Sequence, residues 1–256
     1  MFSRLFILAL LVLVDLSVEA EPTLNSDQNR MEETRKEHEE ALKTYRELAK
    51  KEPETYLPEV AQTLNDLGIV DSAQNRAEEA RKAFEEALKT YRELEQKNPE
   101  SYLPYVALTL NNLGVLDLAQ NRLEEARKAL EETLKIYREL AEKNRETYLP
   151  DLALALNNLG VLDHTQNRLE EARKALEETL EIYRELAEKN RETYLPDLAL
   201  ALENLGILAN AQHQTEKGRQ AFEEALKIYK AYAKQNPEQF SSDVKRVEKL
   251  LEELQR

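Results

Sequence analysis

Apolar residues recur three or four positions apart over long stretches of this chain, which is the spacing of an amphipathic helix. The opposite side of one such stretch carries Glu, Lys and Arg, so the pattern predicts one buried and one solvated face. A second helix is predicted just before it, from about Tyr102 to Leu118. We call the Tyr102 type helix A and the other type helix B, whose apolar stripe comprises Leu123, Ala126, Leu130, Thr133, Leu134, Tyr137, Leu140 and Ala141.

This pair of helices repeats every 46 residues. Residues 121–157 match residues 167–203 at 35 of 37 positions. Short turns make neighbouring helices antiparallel, and a single pair cannot cover its own apolar stripe. Successive pairs must therefore stack, which predicts an all-α solenoid. The period is marked by Tyr-Leu-Pro at Tyr56, Tyr102, Tyr148 and Tyr194, and by Leu-Gly ending at Gly68, Gly114, Gly160 and Gly206.

Local signals predict where the A helices begin and end. A hydroxyl residue suited to capping precedes each A helix, and a proline follows in the predicted first turn. Asparagine, which tolerates a left-handed backbone, lies in three of the turns between A and B. The caps are Thr55, Ser101, Thr147 and Thr193, the prolines are Pro58, Pro104, Pro150 and Pro196, and the turn residues are Asn75, Asn121 and Asn167.

The first residues differ in kind from the rest. Arg4 precedes an apolar run from Leu5 to Val14, and a small-residue cleavage site follows at Val18, Glu19 and Ala20. This layout predicts a signal peptide over residues 1–20, too short to span a bilayer, and hence a secreted or periplasmic protein with no membrane span after cleavage. A frayed arm or an uncleaved anchor is the alternative.

The remaining chain divides into a half repeat, four full repeats and a capping helix. In the capping helix, we expect Lys245, Arg246, Lys249, Glu252 and Glu253 to form the polar side. The boundaries are 21–54 for the half repeat, 55–100, 101–146, 147–192 and 193–238 for the repeats, and 239–256 for the cap.

These residues resemble tetratricopeptide repeats over roughly residues 28–256. Leu110, Leu113 and Gly114, followed by Ala126 and Leu130, carry the match. The long period is similar to that of kinesin light chains, which share a Leu-Asn-Asn-Leu segment. The resemblance implies a right-handed superhelix of helix pairs that binds proteins.

Two positions depart from the pattern of that family. Leucine replaces an aromatic residue near the start of helix A, and Asp71, Asp117 and Asp163 stand where the family has tyrosine. Because these aspartates lie one repeat apart, they would form a row rather than a catalytic pair. We expect them to cap helices or bond to turns.

The resemblance also implies that the A helices line a concave groove that binds peptides. Asn112, Asn158 and Asn204 would then form an amide ladder for the main chain of an extended peptide. Their hydrogen bonds would supply about 3 to 9 kcal/mol against an association cost of about 4 to 15 kcal/mol, so apolar burial must contribute. We expect micromolar affinity for an apolar, non-acidic peptide. The alternative is that these amides bond to the neighbouring A helix or to water. The complete predicted site is Asn112, Asn158, Asn204, Asp66, Leu108, Leu154, Leu200, Val115, Val161 and Ile207.

The amino-acid composition excludes or disfavours several other classes of function. The 256 residues include no Cys, which excludes disulfides and thiolate metal sites, and a net charge of −14 disfavours nucleic acid. His38, His164 and His213 lack the spacing of metal ligands, and no nucleophile motif is present. We therefore expect no catalysis, no cofactor and no metal. A protein partner is favoured, and the alternative is a structural protein that self-associates into a homo-oligomer.

Overall fold

The computed structural model describes residues 24–254. The predicted signal peptide, residues 1–20, lies outside this range. Within it, all regular secondary structure is helical. The helices are α1 (Leu24–Ala49), α2 (Pro53–Ala73), α3 (Ala77–Glu95), α4 (Pro99–Ala119), α5 (Leu123–Lys143), α6 (Arg145–Thr165), α7 (Leu169–Lys189), α8 (Arg191–Ala211), α9 (Thr215–Ala233) and α10 (Pro237–Glu253).

The helices alternate between the two predicted types, since α2, α4, α6 and α8 are A helices and the odd-numbered helices are B helices. Contacts divide the chain into two units, the first ending at Ile136 and the second beginning at Tyr137 within α5. In the first unit, α1 to α4 pack in succession and α2 also contacts α4. In the second unit, α6 to α10 do so, and α6 contacts α8. The predicted class, an α-solenoid of stacked antiparallel helix pairs, is confirmed.

Each A helix begins three residues earlier than predicted, so the assignment of Thr55, Ser101, Thr147 and Thr193 as caps was wrong. The cap of α4 is Asn98, whose side-chain oxygen accepts the Ser101 N–H at 3.3 Å. Asparagine satisfies one of the unpaired N–H groups at the helix start. Pro104 consequently lies in the second turn rather than the first. The equivalent caps of α6 and α8 are Asn144 and Asn190.

The turns between A and B helices use left-handed residues, as predicted. Asn75, Asn121 and Asn167 each have φ of 57°. In the first of these turns, the Arg76 N–H donates to the Asp71 carbonyl at 2.8 Å, which closes the end of α2. In the fourth turn His213 takes this position with φ of 58°.

Glycine permits the close crossing of the two helices within a repeat. A Cβ added at Gly114 would lie 2.7 Å from Leu130 Cγ, and one at Gly206 would lie 2.5 Å from Phe222 Cε1. Both distances are shorter than the closest approach of a Cβ methyl group to another carbon atom, so no side chain fits at either glycine. The recurring Leu-Gly motif therefore marks where helix A meets the large apolar residue of helix B.

The last helix closes the second unit. Phe240 and Val247 of α10 are buried, and Phe240 packs edge-on against Tyr232 of α9, with ring centroids 5.4 Å apart. Lys245, Lys249, Glu252 and Glu253 are exposed. Arg246 departs from the predicted polar side, because its guanidinium is largely buried against Glu203 of α8.

Candidate binding face of the A helices

The predicted site residues share one side of the A helices, which we call the A-face. The structure divides them by accessibility. Asn112, Asn158, Val115 and Leu200 are buried, so a partner cannot reach them in this conformation. The half-buried members are Asp66, Leu108, Leu154, Val161, Asn204 and Ile207.

Two of the asparagines pair with the preceding A helix. The Asn112 side-chain N–H donates to the Asn65 side-chain oxygen at 3.0 Å, joining α4 to α2. The Asn204 N–H donates in the same way to Asn157 at 2.9 Å, joining α8 to α6. These amides tie neighbouring repeats together. The peptide-binding ladder stays a prediction, and only Asn204 is partly accessible to a ligand.

An ion pair replaces the amide pair at the end of the second unit. Glu203 stands where Asn157 stands one repeat earlier, and its carboxylate accepts from Arg246 at 2.6 and 2.9 Å. Burial opposes the charge on Arg246, but the hydrogen bond from Arg246 to Glu203 raises the pKa of the guanidinium. The near-identical repeats thus differ at the position where the stack ends.

The aspartate row also joins successive repeats. Arg35 of α1 donates to Asp71 of α2 at 2.6 Å, and Arg81 of α3 forms an ion pair with Asp117 of α4. Both carboxylates are buried. The expected capping or turn-bonding role of these side chains was incomplete, because their partners lie on the B helix of the preceding repeat. These arginine–aspartate pairs were missed at the level of sequence because the pattern does not predict which B-helix residues face the aspartates.

An aromatic cluster in the first unit was also missed. Tyr105 of α4 is 44% exposed and stacks on Tyr91 of α3, with ring centroids 5.2 Å apart. The nearby Asp66 carboxyl has its pKa raised by burial, against the opposing effects of His38 and Asn65. Alignment of the repeats contains the missing signal, because Tyr105 stands where Glu59, Asp151 and Asp197 occur.

The described residues contain neither a metal-binding cluster nor a helix suited to span a membrane. Residues 24–254 contain no cluster of three or more His, Asp or Glu that could hold a metal ion. His164 is half-buried, and burial lowers its pKa. Over the same part of the chain, no helix has the length and apolarity needed to cross a membrane.

The stacked pairs, with an accessible face on the A helices, define a helical-repeat scaffold. Two models described as tetratricopeptide repeat match the sequence, one over residues 24–93 and 138–185 and the other over residues 106–144, together more than half of the chain. The chain belongs to the tetratricopeptide repeat family. Such repeats bind protein partners and are generally non-catalytic.

BtubC shares the fold of this chain at low sequence identity, and a second solved structure aligns more weakly. BtubC (BKLC) from P. vanneervenii aligns with a TM-score of 0.61 and 19% identity, covering 88% of this chain and 90% of that chain. MamA aligns with a TM-score of 0.49 and 16% identity, covering 85% of this chain and 99% of that one. No curated protein sequence matches.

Proposed function

We propose that this protein is an exported, non-catalytic scaffold that binds a polypeptide partner on its A-face. The observation that carries the proposal is the accessibility of apolar side chains there. Leu108 and Leu154 stand at equivalent positions of successive A helices, Ile207 stands at the position of Val161 on the same side, and all of them are only half-buried. Their further burial would contribute roughly 25 cal/mol per Å² of apolar area.

The exposed side of the B helices offers a different surface. Arginine and glutamate there are paired between successive repeats, as in Arg92 with Glu132 at 2.9 Å and Arg138 with Glu178 at 3.0 Å. Such exposed pairs contribute at most about 1 kcal/mol each, but they leave little apolar area for a partner. The A-face is therefore the better candidate for binding.

Because the asparagines pair with one another, we do not assign them the main role in holding a peptide. Breaking the Asn112–Asn65 bond to hold a peptide would exchange one hydrogen bond for another, with little net gain. The amides instead fix the spacing of the A helices. Affinity then comes from the half-buried apolar side chains, and the Asn204 amide is the member of the ladder that a peptide can contact without opening a repeat.

The test is partner capture by two matched variants from the extracellular or envelope fraction of the native source. The first variant replaces Leu108, Leu154 and Ile207 by Gln, and the control replaces the exposed Lys128 and Lys174 of the B helices by Gln. We expect the first variant to lose the partners that the wild type retains, while the control keeps them. Retention by the first variant with unchanged helicity would refute an A-face site.

Export and self-association have independent readouts. N-terminal sequencing of the exported protein should begin at Glu21 if residues 1–20 are removed, and an intact Met1 would contradict cleavage. Sedimentation at micromolar concentration should give a monomer. A stable dimer that the Gln variant abolishes would instead assign the A-face to another copy of the chain.

A further inference from the structure

Two departures from the repeat pattern meet in the first unit. Tyr105 of α4 occupies the position held by an acidic residue in the other A helices, among them Glu59 of α2. Asp66 of α2 occupies the position held by Asn112 and its equivalents. Since α2 and α4 are in contact, both departures contribute to one surface. The later A helices carry the repeated residues, an acidic residue and asparagine, at these two positions.

The centre of this surface is a buried tyrosine with an unused hydroxyl. Tyr91 of α3 is 3% exposed, and its hydroxyl forms no hydrogen bond with any residue in the described range. Burial raises the pKa of Tyr91, and Tyr105, Asp66 and Glu59 raise it further. Two of these groups, Tyr105 and Asp66, are also the residues that distinguish this part of the repeat array.

Two aromatic rings lie beside Tyr91, and the Glu59 and Asp66 carboxylates act electrostatically on its hydroxyl. Tyr105 stacks on Tyr91 with an interplanar angle of 16°, and the Tyr102 ring centroid lies 6.5 Å from that of Tyr105. Neither Glu59 nor Asp66 forms an ion pair with a Lys or Arg among residues 24–254. The site thus combines an exposed ring face with two carboxylates that form no ion pair with Lys or Arg, although His38 also acts on Asp66.

We propose that this corner, formed by Tyr91, Tyr105, Glu59 and Asp66, anchors an arginine side chain of the partner polypeptide. A guanidinium is planar and can lie on the exposed face of Tyr105, which Tyr91 supports from behind, while its N–H groups reach the carboxylates. A compact lysine ammonium satisfies fewer of these groups at once. This proposal rests on the proposed A-face function, and it specifies which side chain of the partner the A-face prefers.

The repeat array supplies variants that preserve the fold. Tyr105→Asp gives α4 the residue found in α6 and α8, and Asp66→Asn gives α2 the residue found in α4. The first change removes the ring while adding a carboxylate, and the second removes a carboxylate while keeping its shape. Glu124→Gln, on the exposed side of α5, removes a charge elsewhere and serves as the control.

The experiment measures peptide binding by calorimetry. Three capped peptides are compared, in which leucine alternates with arginine, citrulline or lysine. We expect the wild type and Glu124→Gln to prefer arginine over citrulline by about tenfold, and arginine over lysine by a smaller factor. Asp66→Asn should reduce the preference for arginine over citrulline severalfold. Tyr105→Asp keeps the site anionic but lacks the ring, so it should reduce the preference for arginine over lysine, and helicity should be unchanged in both variants.

Three results would overturn the anchor. They are equal binding of the arginine and citrulline peptides by the wild type, equal binding of lysine and arginine, or an undiminished arginine preference in both corner variants. If partner capture still depends on Leu108, Leu154 and Ile207, the anchor fails while the A-face function stands. If capture does not depend on them, the function itself fails.

Discussion

The two units use the same arginine position in opposite ways. In the first unit, Arg81 is 16% exposed in its side chain and pairs with the buried Asp117 of the next A helix. In the second unit, the equivalent Arg173 is 37% exposed and pairs with Glu170 and Glu177 of its own helix. The difference follows from Ala209, which replaces the aspartate. One exchange in a nearly duplicated repeat converts a link between repeats into a surface ion pair.

The second unit is joined by other means near its end. Glu203 replaces an asparagine and binds Arg246 of the capping helix. Tyr232 adds a hydroxyl that donates to the Arg191 carbonyl at 2.8 Å. The last interface therefore has its own connections, whereas α2 and α4 of the first unit are each joined to the preceding B helix by an arginine–aspartate link.

The largest expected effect comes from removing a linked arginine. Arg81→Leu leaves the Asp117 carboxylate buried without its cation and should lower the free energy of unfolding by about 3 to 5 kcal/mol. Arg173→Leu breaks only exposed pairs and should change it by less than about 1 kcal/mol. Urea denaturation followed by circular dichroism measures both. Equal losses would remove the distinction between the two units.

A smaller effect is expected at a feature that the units share. Gly114→Val and Gly206→Val both place a side chain within the space of Leu130 or Phe222. Each should cost about 1 to 3 kcal/mol because the helices must move apart. Thermal denaturation of the two variants checks this, and a cost confined to one of them would show that the crossings are not equivalent.

The smallest effect concerns the fourth turn. His213→Asn introduces the residue that the other three turns use at the same left-handed φ. We expect a stabilisation of less than about 1 kcal/mol, since asparagine adopts this backbone readily. Asn167→His is the reciprocal change and should destabilise by a similar amount. A loss of stability in His213→Asn would mean that the imidazole has a role beyond the turn.

Sequence periodicity predicted the helices, the repeat and the left-handed asparagine turns, because these depend on residues within one repeat. It misplaced the caps, since Ser101 and Asn98 both suit a helix start and only the backbone decides between them. It also missed the pairing of Arg81 with Asp117, which depends on the register between successive repeats. The sequence left open whether Asn112 would face a ligand or bond to the neighbouring A helix, because its partner, Asn65, belongs to another repeat.

Hydrogen exchange of an Ala209→Asp variant tests most directly whether the arginine–aspartate link holds repeats together. With Arg173 present, the new carboxylate should pair with it and slow amide exchange at the end of α8 relative to the wild type. That protection should disappear when Ala209→Asp is combined with Arg173→Leu. Exchange that is unchanged, or equally fast with and without Arg173, would contradict the link.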